Sequence, residues 1–456
     1  MIQTKSSLNA FIVIIGCLSL FTISCKKSST ISATLTINNP TAGLLYATIS
    51  SSERSVLTNL TLTGIIDASD FVTMRDSMPV LSVLSLSGTT IVSYTGNKGT
   101  SGSVVTTYPE NTIPNNAFNS IISDTGKVTL TSVVVPLSCK SIGSHAFEGC
   151  TGLTSVTLNS ITTIDEDAFA YCNSMNTMYI PYTVTRIGAN SFLGSKPLLT
   201  VDANDTIYSS ISGVLFNKAQ DTLIHCSLYI YGGYIVPSTV RSISENAFNG
   251  SHLTSVTLLS SVLFIGNGSF ANSANLTSIT IPPSLQTIGN NAFINCQRMV
   301  KINLPQSLTS IGISAFNGCG ASIVVDVNNP NYSSQNGVLY NKSGTSILSC
   351  PSSFNGSYLI PSTVTKIESM AFANCSFLSS ITIPSSVNSI GSYAFLNCGL
   401  LHSIILNTSI PINLTTSSSV FSGVNVASCV LQVPIGSKSA YQSVNQWNVF
   451  GTIVEQ

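Results

Sequence analysis

Ile288–Cys296 reads IGNNAFINC, Ile311–Cys319 reads IGISAFNGC and Ile390–Cys398 reads IGSYAFLNC. The aromatic residue of this phrase recurs as Phe118, Phe147, Phe169, Phe192, Phe248, Phe270, Phe293, Phe316, Phe372 and Phe395. The steps are 29, 22, 23, 56, 22, 23, 23, 56 and 23 residues. A unit of about 23 residues cannot bury its own apolar side, but stacked copies bury one another. Upstream of each Phe lies a second pattern, L-x-x-L-x-L, as in LTSITIP with Leu276, Ile279 and Ile281. Leu153, Val156 and Leu158 repeat it, as do Leu378, Ile381 and Ile383. Each unit therefore predicts a short strand, a turn carrying Pro or Ser, a second extended stretch ending in Ile-Gly, and a tight turn that puts Ala-Phe in a shared core. The fold class is mainly β, a solenoid with a parallel sheet. The Gly of Ile-Gly suits a turn needing positive φ or close backbone approach.

A longer period overlies the short one. Both 56-residue steps contain matching inserts, YSSISGVLFNK at Tyr208–Lys218 and YSSQNGVLYNK at Tyr332–Lys342, each leading to a Pro-Ser-Thr-Val run. Phe192 and Phe316 are 124 residues apart, as are Phe248 and Phe372, so a block looks duplicated. Each insert predicts a β-hairpin protruding from one coil, with its turn near Asn217 or Asn341.

The two ends depart from the repeat as caps should. Leu57–Gly64 and Leu81–Gly88 keep L-x-x-L-x-L without the Phe phrase. Between them IIDASDFVTMRDSM predicts a capped helix with Phe71, Met74 and Met78 on one side. Gly96–Ser103, GNKGTSGS, lacks the ending of a phosphate loop and is expected to be a mobile loop. At the other end a short helix holding Tyr441 and Trp447 is expected to close the core. The expected segments are an N-terminal cap over 46–112, the solenoid over 113–410 and a C-terminal cap over 411–456.

Charged residues make up only 7% of the 456, with a formal net charge of +0. No electrostatic field is available to draw in nucleic acid. After the leader no apolar run reaches the roughly 18 residues a membrane helix needs. The leader itself, 1–24, combines Lys5 with the apolar run Phe11–Ser24. Cys25 follows small Ser24, and this resembles a bacterial lipoprotein signal. The resemblance implies a lipid on Cys25, a tether over 25–45, and anchoring of an exported chain to the outer membrane, on its cell-surface or periplasmic face.

The strand, Ile-Gly, Ala-Phe and Cys of one 23-residue unit resemble the BspA-like leucine-rich repeat family. The GVL[FY]NK inserts and the V-P-x-G-S-x-x-A-Y…W ending resemble it too, so the likeness spans Leu57 to Glu455. It implies a right-handed solenoid and a non-enzymatic surface or secreted binding protein. Its partners would be host or microbial surface proteins. A glycan-binding component of a polysaccharide-uptake system and a periplasmic scaffold stand as alternatives.

Candidate chemistry is sparse. His145, His225, His252 and His402 form no H-E-x-x-H, no C-x-x-C pair exists, and no nucleophile elbow occurs. His145 is expected on the surface of a variable turn. Asp165, Glu166 and Asp167 are adjacent, which is not the spacing of a calcium loop. No catalytic residue, metal or cofactor is expected. Cys150, Cys172, Cys296, Cys319, Cys375 and Cys398 share one slot, three after the Phe, that takes Ser at Ser195, Ser251 and Ser273. Interchange with Ser suggests buried thiols rather than disulfides between coils. The sheet should expose Ser and Thr at the x positions. Tyr179 breaks that rule, and with Tyr182 and Arg186 it forms the candidate binding patch, since Tyr and Arg are enriched in binding hot spots.

Overall fold

The computed structural model describes residues 33–121 and 125–456, and Ala33–Gln456 form one compact unit. The leader, Cys25 and the first part of the tether lie outside the described residues. The solenoid expectation holds. Each regular coil contributes one strand to a first face and a two-residue strand to a second face, and on both faces successive coils pair in parallel. On the first face Ser255, Val256 and Thr257 pair with Ser278, Ile279 and Thr280 of the next coil. On the second, Thr287 and Ile288 pair with Ser310 and Ile311. The apolar positions of L-x-x-L-x-L point inward, with Leu276 and Leu378 fully buried, while Ser278 and Thr280 are exposed.

Between the two faces the Phe rings form a column. Phe118, Phe147, Phe169 and Phe192 stack at centroid spacings of 5.2, 5.2 and 6.0 Å. Phe248, Phe270, Phe293 and Phe316 follow at 4.9, 5.2 and 5.5 Å. The column then resumes through Phe372, Phe395 and Phe421 at 5.3 and 5.8 Å. These spacings follow the distance between hydrogen-bonded strands, because each ring occupies the same place in successive coils. Phe71 of the helix Ala68–Asp76 closes one end, edge-on to Phe118 at 5.9 Å. Trp447 closes the other, 5.1 Å from Phe421, with its indole N–H donated to the Ile412 carbonyl at 2.9 Å. Tyr441 sits in the helix Lys438–Ser443, whereas Trp447 lies just beyond it.

From Phe147 onward, the turns that carry Phe use two left-handed residues each. Two positions before Phe stand Asn190, Asn246, Asn291, Ser314 and Met370, with φ between 53° and 59°. Two positions after stand Gly194, Gly250, Asn295, Gly318 and Asn374, also at positive φ. Asn and Gly tolerate this region, which explains their abundance beside the Phe. The Gly of Ile-Gly serves the other purpose, close approach. A Cβ on Gly289 would come 2.6 Å from the Asn267 backbone nitrogen, and one on Gly312 would come 2.3 Å from that of Asn290.

Four expectations need correction. The sheet begins inside the expected tether, because Ala33–Asn39 pairs in parallel with Leu57–Ile66. The glycine-rich loop is tied down. Thr100 is fully buried, its carbonyl accepts from Arg75 at 3.2 Å, and the Ser101 N–H donates to the Tyr108 hydroxyl at 2.7 Å. The inserts do turn near Asn217 and Asn341, between antiparallel strands as expected, but each also has an earlier reversal. Tyr208–Ile211 and Val214–Asn217 reverse at Ser212-Gly213, and a second reversal after Asn217 leads to Thr222–His225, which re-enters the second face. The inserts do not protrude. Val214, Leu215 and Phe216 are fully buried, as is Val338, so each insert fills the stack between two blocks. The Tyr208 and Tyr332 hydroxyls accept the N–H of Ile187 and Ile311, each at 2.9 Å, where a second-face sheet ends.

Candidate functional site

The solvent side of the first face is a field of Ser and Thr hydroxyls with few charges. Exposed tyrosines cluster on it around the first insert. The chain returns from that insert through SLYIYGGYIVP, Ser227–Pro237. Ser227 pins the return by donating its hydroxyl to the Lys196 carbonyl at 2.5 Å. Leu228 and Tyr229 form a tight turn, closed by the Ile230 N–H donating to the Ser227 carbonyl at 3.1 Å, and Ile230 packs against the core between outward Tyr229 and Tyr231. Gly232 takes φ +79°, and the strand Gly232–Ile235 begins there.

Tyr231 is 61% exposed, and its ring lies on the His252 imidazole at 5.3 Å with only 4° between planes. His252 is held by donation from Nδ1 to the Leu228 carbonyl at 2.9 Å. Tyr229 donates its hydroxyl to Oδ1 of Asn176 at 2.8 Å, across 53 residues of sequence. Ile235, 67% exposed, extends the apolar surface along the strand. In the second block Ser353 and Asn355 replace the two tyrosines, while Phe377, one residue before Leu378 as His252 is one before Leu253, is exposed there, so the tyrosine pair is what the second block lacks.

Tyr179 belongs to the same face, paired with Thr200 of the next coil and about half exposed. Its hydroxyl bonds the Asp202 carboxylate, which raises the phenol's pKa and lowers the acid's. Tyr182 is 60% exposed in the turn that follows. Arg186 stands on the second face, in register with Thr163, and pairs with Asp165. Of the three residues singled out from sequence, Tyr179 therefore lies on the first face, Tyr182 in the turn and Arg186 on the second face. Tyr229, Tyr231 and His252 were not singled out, although the Tyr-Ile-Tyr alternation after the insert was a usable signal.

His145, half-exposed at φ 57°, bonds Glu148 at 2.7 Å. The cysteines among the described residues are ten buried thiols. Burial pushes the thiols of Cys150 and Cys319 up to about 12, which suppresses the reactive thiolate. The Cys-or-Ser slot has a common bond. Cys172, Cys296 and Cys398 donate Sγ–H to the Phe carbonyl one coil back at 3.2, 3.0 and 3.1 Å. Ser195 and Ser273 donate hydroxyls to the same acceptor at 2.5 and 2.8 Å.

No helix among the described residues is long and apolar enough to cross a membrane. No curated protein matches the chain. A leucine rich cell surface protein from Faecalibacterium prausnitzii A2-165 is similar in structure, with 24% identity over 80% of this chain and 86% of that one and a TM-score of 0.41. The pneumococcal vaccine antigen PcpA is similar at 18% identity, over 87% and 85%, with a TM-score of 0.42. A leucine-rich repeat protein from Eubacterium ventriosum is similar at 22% identity, over 65% and 83%, with a TM-score of 0.38. The profile of the BspA type leucine-rich repeat region matches in six copies, over residues 107–228, 233–346 and 349–434. These matches cover well over half the chain, which belongs to the BspA-type leucine-rich repeat family.

Proposed function

We propose that this is a non-enzymatic, lipid-anchored protein of the cell envelope that adheres to a host or microbial surface protein through its first face. The observation that carries the reading is the Tyr231–His252 stack on a broad Ser/Thr face, with Tyr229 and Tyr179 nearby. Rigid, exposed aromatic rings supply contact area at little entropic cost, and the surrounding hydroxyls supply hydrogen bonds. The low charge predicts binding that depends weakly on salt. Anchoring rests on Cys25, and the reading places the solenoid outside the cell.

The same stack also favours a second reading, a glycan partner, because a flat exposed ring can lie against a sugar. The test is adhesion of whole cells to immobilised matrix proteins and to a glycan array. Tyr231→Ser and Tyr179→Ser should lower adhesion at least tenfold to one class of surface and leave the fold intact. Adhesion unchanged by both substitutions would remove the first face from the account. A loss confined to glycans would transfer the function to the second reading.

A further inference from the structure

The Phe column is interrupted twice, once at each insert, and the two interruptions differ. At the first, the His225 imidazole fills the gap, 5.7 Å from the Phe192 ring. The space left there is only about 30 Å³. At the second, the residue in the place of His225 is Ser349, and a cleft of about 310 Å³ opens beside Phe316. Its apolar lining includes Ile311, Leu339, Leu348 and Met370. A dry apolar cavity of about 150 Å³ is enough for a benzene ring, so this cleft has room for two fused rings.

The polar side of the cleft also differs between blocks. Asn317 stands where the first block has Leu193. It is 7% exposed, and its Nδ2 donates to Sδ of Met370 at 3.3 Å. Its Oδ1 is buried without a partner. A buried amide oxygen without a donor is costly, and a ligand N–H or O–H would relieve that cost. Met370 itself takes φ 59°, where the first block places the more tolerant Asn246 at φ 53°. A long side chain held in that region is strained, and such strain gathers at ligand sites.

We propose that the second junction binds a flat, uncharged aromatic molecule of one or two fused rings bearing one N–H or O–H donor. Its ring would lie against Phe316, as His225 lies against Phe192, and its donor would meet Oδ1 of Asn317 once the carboxamide, whose oxygen is sealed from solvent in this structure, turns toward it. The site is on the Ile-Gly and Ala-Phe side of the coil, away from the first-face strands, so its failure leaves the adhesion reading untouched.

Indole and 1-methylindole are suitable probes, because they differ in the donor. The readout is the ¹³C-methyl resonance of Met370 in the full chain, assigned with Met370→Leu. Indole should shift it saturably, and 1-methylindole should bind at least tenfold more weakly. Ser349→His, which installs the ring the first junction already accommodates, should abolish the shift. Asn317→Leu should bring the two probes to similar affinity. The proposal is overturned if indole leaves Met370 unmoved up to its solubility, or if 1-methylindole binds the unmodified protein as tightly as indole. Retained binding in a folded Ser349→His protein would overturn it too.

Discussion

Acidification should weaken the first junction through a single residue. His225 is buried against Phe192, no acidic partner stabilises its charged form, and its Nε2 has no hydrogen-bond partner. Burial pushes its pKa down from 6.5 to about 4. The unfolded chain therefore takes up the proton first as pH falls. The stability tied to neutral His225 is complete above pH 6.5, drains away as pH falls toward 4, and changes no further below that. At about 1.4 kcal/mol per pKa unit, the loss is on the order of 3 kcal/mol. His225→Phe keeps a ring against Phe192 and cannot titrate. Urea midpoints between pH 7 and pH 4 should fall more steeply for the unmodified protein than for the variant, by about that energy. Titration of [¹³Cε1]-histidine protein should show one imidazole near 4. Parallel loss of stability in both proteins, or a His225 pKa near 6.5, would refute the reasoning.

Further outcomes are expected. Phe293→Ala removes the ring between Phe270 and Phe316 and should cost about 3–5 kcal/mol in urea denaturation. Gly289→Ala forces a Cβ against the Asn267 backbone and should destabilise measurably. At Gly399 an added Cβ meets nothing within 4 Å, and Ala there should be neutral or stabilising by up to about 1 kcal/mol. The ten buried cysteines should resist a thiol reagent in native protein and react fully after denaturation without reductant. Cys172→Ser should keep its bond to the Phe147 carbonyl and cost less than about 1.5 kcal/mol in chemical denaturation.

What could be read from the sequence is what repeats. The Phe spacing names a column of rings, and the structure contains one. Interchange of Cys with Ser indicates a small buried donor, and both side chains reach the same carbonyl. The helix carrying Phe71 is legible from its cap and apolar spacing, and Asp67 and Asp70 form the capping box. What the sequence concealed lies where the repeat breaks. The inserts looked like protrusions because their length exceeds one coil. Burial of Val214 and Phe216 follows only from the way two reversals fold them into the stack. The contrast between His225 and Ser349 acquires meaning only once each is set beside a Phe from another coil. Tyr179 and Arg186 are seven residues apart, yet the turn between them sends them to different sheets.

The most direct test of the central claim is protease treatment of intact cells. An outward-facing adhesion protein anchored at Cys25 should be removed while the envelope is whole. Survival of the protein until the outer membrane is opened would contradict the account and place its partner inside the envelope.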